Sequence, residues 1–198
     1  MFGTVLGIDP GVSRCGYGAV IEQGNTLAAS ACGVIRTPPS MPLPQRLAAL
    51  EAELEALMAE VRPVAVAVER VFFQVNVRTA MAVGQASGLA LAVAARAGVE
   101  VCQYTPNEVK QAVAGYGSAP KAQVQAMVTR LLRLAEVPRP PDAADALALA
   151  ICHLSAGRFR SRSEVEAAGV AGTVPGLARA IAAATVLRPG VGQGPGAQ

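Results

Sequence analysis

Acidic side chains occur in this sequence at positions where an ionised carboxylate is costly. Asp9 and Glu69 each end a short run of apolar residues of the kind that forms a strand buried in a sheet. Such a charge needs compensation, because transfer from water to a protein interior is unfavourable. Asp142 and Asp145 are three residues apart, a spacing that puts both on one face of a helical turn.

The chemistry that these acids could perform depends on whether they meet. Carboxylates in one pocket repel each other, so at neutral pH they must hold protons or cations. Oxygen ligands without a matching histidine and cysteine set favour Mg²⁺ or Mn²⁺ over zinc. Two such ions about 3.5–4 Å apart would clamp a phosphodiester, one activating water for in-line attack and the other stabilising the leaving 3′-oxygen. The pattern therefore indicates metal-dependent hydrolysis of a phosphodiester.

Each acid also has a purely structural interpretation. Asp142 is a natural helix N-cap, and Asp145 is a natural first-turn acid. Asp9 precedes Pro-Gly and could be only a turn residue, while Glu69 could form an ion pair with the adjacent Arg70. The sequence leaves these alternatives open. Separate structural roles explain each acid by itself, but they explain less well why all of these acids are expected at the edge of one sheet.

The elements that must position the acids are predicted from hydrophobic periodicity. Strands are predicted over residues 4–8, 17–21, 27–35, 64–68 and 99–104. Gly24 and Asn25 suit a tight turn, so the first three strands are expected to form an antiparallel meander. If the first and fourth strands are parallel neighbours, Asp9 and Glu69 converge at the carboxyl edge of the sheet, where ligands bind in open α/β sheets.

Helices are predicted between and after these strands. They run from Gln45 until Pro63, then over residues 78–97, 106–114, 120–135 and 142–155. The fold class is therefore α/β, with a mixed five-stranded sheet flanked by helices. We expect one domain over residues 1–157 and a C-terminal extension, 158–198, that is largely flexible because it is rich in Gly, Ala, Pro and Arg.

Composition agrees with a single core and excludes several classes of protein. The 198 residues are 52% hydrophobic and 16% charged with a net charge of +3, which argues against a disordered or coiled-coil chain. Four scattered cysteines lack metal-ligand spacing and are expected to be reduced thiols. Residues 79–98 are apolar but interrupted by Gln85 and Arg96, so a buried helix is expected rather than a membrane span. The first residues do not have the pattern of a secretory signal, and a cytoplasmic location is expected.

The ordered motifs of the chain resemble the RuvC family of bacterial Holliday junction resolvases. They are GIDPG at 7–11 with GYG at 16–18, VERVF at 68–72, VKQ at 109–111 through GYGSA at 115–119, and DAADALA at 142–148. The resemblance covers residues 3–154. It implies a ribonuclease H-like fold, a homodimer, and Mg²⁺-dependent symmetric nicking of four-way DNA junctions in recombination and repair, leaving 5′-phosphate and 3′-hydroxyl ends.

The same resemblance implies roles for individual residues. Asp9, Glu69, Asp142 and Asp145 match the four acids that hold the metal and carry out catalysis, with two Mg²⁺ per site expected and Mn²⁺ as a possible substitute. Three further positions match DNA-contacting residues of the family, namely Phe72, Lys110 and Lys121. The alternative for both lysines is an exposed helix position, the commoner fate of a surface lysine. A branch-migration complex of the RuvA/RuvB type is a further expected partner.

A stripe of small residues on the second predicted helix could form the dimer face. Gly84 and Gly88 are four residues apart, and Ala80, Ala92 and Ala95 continue the stripe, which would permit close helix approach. Packing on the protein's own sheet is an equally good explanation at this point. The rival functions are a related nuclease that cuts RNA or ordinary duplexes, and a junction-binding protein without catalysis.

Overall fold

The computed structural model describes residues 3–24, 26–70 and 77–171. Within them an initial run of three strands is followed by helices that enclose two more strands. The strands are β1 (Thr4–Asp9), β2 (Arg14–Gln23), β3 (Thr26–Arg36), β4 (Ala65–Glu69) and β5 (Glu100–Tyr104). The helices are α1 (Leu43–Val61), α2 (Val77–Arg96), α3 (Pro106–Ala114), α4 (Lys121–Leu131) and α5 (Pro141–Ala171).

The five strands form one mixed sheet in the order β3-β2-β1-β4-β5. β1 is antiparallel to β2, and β2 is antiparallel to β3, so the predicted meander is confirmed. β1 is also parallel to β4, and β4 is parallel to β5. The condition on which the convergence of Asp9 and Glu69 depended is therefore met.

The sheet separates two hydrophobic cores because successive side chains of a strand point to opposite faces. Leu6 and Ile8 of β1 lie on the face covered by α1 and α2. Val5 lies on the other face, which packs against α3, α4 and α5. Asp9 is in phase with Val5, and Glu69 is in phase with Ala65, so both acids project from the ends of their strands toward the side of α5.

Glycines in β1 and β2 let α5 lie directly on the sheet. A Cβ built on Gly7 would be 1.9 Å from the backbone oxygen of Ala146, and one on Gly16 would be 2.2 Å from that of Asp142. Gly7 pairs with Gly18, and Gly16 pairs with Asp9. The glycine surface that α5 contacts therefore lies next to the end of β1 that carries Asp9. The glycines of the GIDPG and GYG motifs therefore bring the N-terminal turn of α5 against β2.

Two helix ends differ from the predictions by more than two residues. α4 ends at Leu131 rather than near Ala135, because Arg133 adopts a left-handed conformation with φ of 52°. α5 continues to Ala171 rather than ending near residue 155, since no proline follows Pro141 before residue 175 and the intervening Ala, Arg and Glu favour helix. Contacts divide the chain into two units, Met1–Gly157 and Arg158–Gln198.

Parts of the sequence predictions lie outside the described residues. These are Asn25 of the predicted turn, the segment 71–76, which includes Phe72, and the extension beyond Ala171. All four cysteines are free thiols, as expected. In the part of the chain that the structure describes, no helix is both long and apolar enough to cross a bilayer.

Candidate active site

Asp9 and Glu69 meet at the ends of two neighbouring parallel strands. The register pairs Ile8 with Val68, and each acid is the next residue along its strand. Their side chains share a hydrogen bond. A hydrogen bond between two carboxyl groups requires that one of them holds a proton.

The N-terminal end of α5 brings the other two acids to the same edge. Asp145 is bound by Lys121, the first residue of α4, with 2.5 Å between Nζ and Oδ2. Asp142 is bound by Arg14, the first residue of β2, whose Nε donates to Oδ1 at 3.2 Å and whose Nη2 donates to Oδ2. Each helix acid therefore has a basic partner from a distant segment.

An open cavity of about 390 Å³ lies over the strand ends. Asp9, Glu69 and Asp145 line it together with Lys110 and Lys121. Its apolar walls are Pro106, Val109, Val124, Ala148 and Leu149. Three of the four predicted acids and both predicted lysines thus share one cavity, while Asp142 lies beside it.

Lys110 reaches this cavity because α3 begins directly after β5. Thr105 is the N-cap, and its hydroxyl accepts a hydrogen bond from the backbone N–H of Glu108. The carboxylate of Glu108 in turn accepts one from the backbone N–H of Thr105 at 2.7 Å. This capping box fixes where the helix starts, and so where Lys110 lies one turn later.

The electrostatic environment of the two strand-end acids is strongly perturbed. Burial, followed by the charges of Glu69 and Asp145, the hydrogen bond to Glu69 and the charge of Asp142, raises the pKa of Asp9 to about 8. Burial also raises the pKa of Glu69, with the charge of Asp145 adding to the rise. The hydrogen bond from Asp9 and the charge of Lys121 oppose it.

Lys121 stays charged in this environment. Partial burial disfavours its ammonium, but the hydrogen bond to Asp145 and the charges of Asp145, Asp9 and Asp142 outweigh that cost and raise its pKa. The acids therefore face two protein cations, Lys121 and Arg14, and Asp9 keeps a proton as well.

The donor set fits a hard divalent cation in its chemistry. All four candidate ligands are carboxylates. Burial, and then the charges of Glu69, Asp145 and Asp142, raise the pKa of Asp9, and a bound metal ion would relieve the repulsion between these acids. Within the described ranges, no three acidic, histidine or cysteine side chains already surround one point. Asp142 and Asp145 instead contact their basic partners, Asp142 with both carboxylate oxygens and Asp145 with Oδ2 alone.

The structure bears on two of the structural alternatives that the sequence left open. α5 starts at Pro141, so Asp142 is not the N-cap but lies within the first turn, with its carboxylate bound to Arg14. Glu69 is hydrogen-bonded to Asp9, whereas the Arg70 side chain donates to the carbonyl of Gln103. The N-cap and ion-pair interpretations of these two acids are therefore wrong.

Arg14 is the site residue that sequence reasoning missed. A signal was present, because Arg14 is two residues from Gly16 in an alternating strand and so lies on the face that receives α5. Nothing in the sequence ranked it above the other arginines, however. Its contact with Asp142 joins residues 128 positions apart.

Comparison with known proteins gives a consistent result. A family model described as crossover junction endodeoxyribonuclease RuvC matches residues 5–153, which include all the candidate acids and lysines. A crossover junction endodeoxyribonuclease RuvC of Salinispora arenicola (strain CNS-205) is 60% identical over 159 residues, covering 80% of this chain and 91% of that protein. The protein of the same name from Heliobacterium modesticaldum (strain ATCC 51547 / Ice1) is 55% identical over 149 residues, covering 75% of this chain and 92% of that protein.

Solved structures give the same picture. Thermus thermophilus RuvC in complex with a Holliday junction substrate is 40% identical, with a TM-score of 0.76 over 79% of this chain and 96% of that chain. The match confirms the predicted ribonuclease H-like α/β fold. A yeast mitochondrial Holliday junction resolvase is 14% identical with a TM-score of 0.55, covering 76% of this chain and 78% of that chain, a likeness of fold alone.

Proposed function

Because this chain belongs to the RuvC family of crossover junction endodeoxyribonucleases, we propose that it resolves Holliday junctions by paired symmetric nicks. The observation that carries the proposal is the acidic cavity at the ends of β1 and β4, with Lys110 and Lys121 on its wall. Acids that repel each other, beside basic residues that attract phosphate, are what hydrolysis of a nucleic-acid backbone requires.

The four acids would hold the metal. Nucleases of this family are metal-dependent, and we propose Mg²⁺ as the ion, with two per site and Mn²⁺ able to substitute. When bound, such ions activate water and stabilise the charge on the leaving 3′-oxygen. Asp9 and Glu69 would give up their shared proton as the ions bind, since a cation removes the repulsion that keeps the proton in place.

The basic residues would position the scissile strand. Lys121 is 62% exposed, so its ammonium can leave Asp145 and contact a phosphate oxygen when DNA enters the cavity. Lys110 lines the same cavity and would hold the neighbouring backbone. The products would carry 5′-phosphate and 3′-hydroxyl ends. The role of Phe72 as a residue that stacks on a base stays a prediction.

We also propose a homodimer that forms through α2. Of the small residues predicted for the dimer face, Gly84, Gly88, Ala92 and Ala95 are exposed, whereas Ala80 is half-buried. Met81 is exposed beside these four, and the five exposed residues are called here the α2 stripe. Gly84 and Gly88 would have no atom within 4 Å of an added Cβ, so these glycines are not required for packing on the protein's own sheet. An exposed, smooth and uncharged helix face supports association of two helices.

A dimer of this kind matches the substrate. A four-way junction is approximately two-fold symmetric, so two identical sites related by a two-fold axis can cut opposing strands in register. A branch-migration complex of the RuvA/RuvB type is the further partner that family membership leads us to expect.

The test is cleavage of a synthetic four-way junction with each strand labelled in turn. We expect paired nicks on opposite strands with Mg²⁺ and none with a chelator, while a linear duplex of the same sequence and its RNA counterpart remain intact. Asp9→Asn should abolish nicking and still shift the junction in a gel. The matched control is Glu53→Gln, which removes an exposed acid of α1 and should cut normally. Equal cutting of duplex or RNA would contradict junction specificity, and activity in Asp9→Asn would contradict the site.

A further inference from the structure

Arg14 and Asp142 form a bidentate ion pair at the rim of the acidic cavity. Both oxygens of the carboxylate accept hydrogen bonds from the guanidinium. The Arg14 side chain is 43% exposed and that of Asp142 is 23% exposed. Fork-like arginine–carboxylate pairs are stronger and more specific in geometry than ordinary surface ion pairs, which contribute little.

Contacts before Arg14 and around Asp142 bring these two residues together. The turn before Arg14 is fixed by hydrogen bonds from the Thr37 hydroxyl to the carbonyl of Val12, and from the Arg46 guanidinium to the Ser13 hydroxyl, both at 2.5 Å. On the other side, the backbone of Asp142 rests against Gly16. The ion pair therefore lies where the N-terminal end of α5 packs against β2.

The contact determines where the Asp142 carboxylate points. Asp9, Glu69 and Asp145 line the cavity, whereas Asp142 does not. Its charge still contributes to the raised pKa of Asp9, so it lies near enough to act on the same centre. A carboxylate in this position can bind the guanidinium with both oxygens or take part in a cation site, but it cannot do both fully.

Resting on the proposed function, we propose that Arg14 is a positioning residue that competes with the divalent cation for Asp142. In the ion-free protein Arg14 holds Asp142 beside β2, outside the cavity. Filling the site then requires displacement of the guanidinium, which raises the cation concentration that the enzyme needs. Arg14 thereby sets the metal affinity without itself being a catalytic residue.

The experiment measures metal binding to the full-length chain without DNA. Mn²⁺ is titrated into the protein, and free Mn²⁺ is followed by electron paramagnetic resonance. Removal of the competing guanidinium in Arg14→Gln should tighten Mn²⁺ binding about 5-fold, the upper range for an exposed ion pair. Arg14→Lys keeps the charge but loses the fork, so its Kd should fall between the two.

The matched control is Arg36→Gln. Arg36 is the cross-strand partner of Arg14 on β3 and is exposed, so this change removes the same charge from the same sheet end without touching Asp142. We expect a change in Kd of less than about 2-fold, because an exposed charge that makes no ion pair with Asp142 contributes little. Circular dichroism and thermal unfolding establish that each variant is folded.

The outcomes separate this inference from the proposed function. An equal Kd in Arg14→Gln and the unaltered chain, or an equal gain in Arg36→Gln, overturns the competition and leaves the nuclease proposal standing. Weaker Mn²⁺ binding in Arg14→Gln also overturns it, since Arg14 would then be helping Asp142 to bind the ion. Absence of saturable Mn²⁺ binding in the unaltered chain contradicts both proposals.

Discussion

At the scale of single residues, the site balances negative charge in three different ways. Asp145 is neutralised by Lys121, Asp142 by Arg14, and Asp9 by keeping a proton that it shares with Glu69. The proton is the least permanent of the three, because its loss depends on pH and on cations. Asp9 is therefore the acid whose charge state should report the state of the whole site.

The first prediction concerns pH and stability without divalent ions. The pKa of Asp9 is about 8 in the folded protein, far above its value in an unfolded chain. The folded state then binds more protons than the unfolded state, so the free energy of unfolding should fall as pH rises from about 4 to 8, and level off above that. Asp9→Asn mimics the protonated acid and should be more stable than the unaltered chain at pH 8 by on the order of 2–4 kcal/mol, with a much smaller difference at pH 5.

Urea denaturation at both pH values in the presence of a chelator measures this effect. Glu53→Gln serves again as the control, since Glu53 is an exposed acid outside the site and its removal should leave the pH dependence unchanged. An Asp9→Asn variant that is less stable than the unaltered chain at pH 8 would refute the shared proton. Addition of Mg²⁺ should reverse the order, because only the unaltered chain gains from binding it.

At the scale of elements, the site depends on how closely α5 approaches β1 and β2. α5 carries Asp142 in its first turn and Asp145 at the start of its second, and it comes this close to the sheet where the facing residues are glycines. Gly16 is opposite Asp9 in the β1–β2 register, so the same backbone pairing seats the helix and aligns it with the first acid. The glycine motifs therefore serve the site through packing.

The second prediction is that Gly16→Ala impairs both folding and cleavage. The added methyl would be 2.2 Å from the backbone oxygen of Asp142, so the N-terminal turn of α5 must move away and carry Asp142 and Asp145 with it. Overpacking of this kind costs about 1–3 kcal/mol of stability. Urea denaturation measures the loss, and junction cleavage well below the melting temperature should fall at least about 10-fold, a loss equivalent to about 1.4 kcal/mol.

Gly117→Ala is the matched control for this change. Gly117 lies in the loop between α3 and α4, and the nearest atom to an added Cβ is 3.4 Å away, an ordinary contact. Its stability and activity should stay close to those of the unaltered chain. If Gly16→Ala were to cleave junctions at the normal rate, the close seat of α5 would not be what positions its acids.

At the scale of the whole molecule, paired cleavage requires two sites, and the α2 stripe is the surface through which we propose that they are joined. α2 buries one face against the sheet through Ala86, Ala90, Val93 and Ala94. The opposite face exposes Met81, at 62%, and the two glycines. A helix that is apolar on both faces is expected to have a partner on each.

The third prediction is that Gly88→Arg separates the dimer without unfolding the protomer. An added Cβ at this position meets no atom within 4 Å, so the protomer has room for the new side chain. Two arginines near the two-fold axis would repel each other across the interface. Sedimentation velocity should show a monomer, and the variant should nick junctions on one strand at a time rather than on both in one binding event.

Ala52→Arg is the control, since Ala52 is an exposed residue of α1 outside the α2 stripe. It should remain a dimer and make paired nicks. A dimeric Gly88→Arg variant would move the proposed interface away from α2. A monomeric variant that still makes paired nicks would contradict the link between two-fold symmetry and coordinated cleavage.

The sequence by itself determined the sheet and the places where its carboxylates emerge. Apolar runs and turn residues are local signals, so the five strands, the meander and the strand-end positions of Asp9 and Glu69 followed from them. The ends of α4 and α5 did not, because helix ends depend on weak local preferences. The lysines were found through the family motifs rather than through any physical pattern.

Only the tertiary structure decided how the charges are paired. Asp142 binds Arg14 rather than capping its helix, and Lys121 binds Asp145 across 24 residues of sequence. Such partners are chosen by the seat of α5 on the glycines of β1 and β2, which brings distant segments within a few ångströms. The positions of two residues in the sequence do not give the distance between their side chains. The pairing of charges in the site is therefore visible only in the tertiary structure.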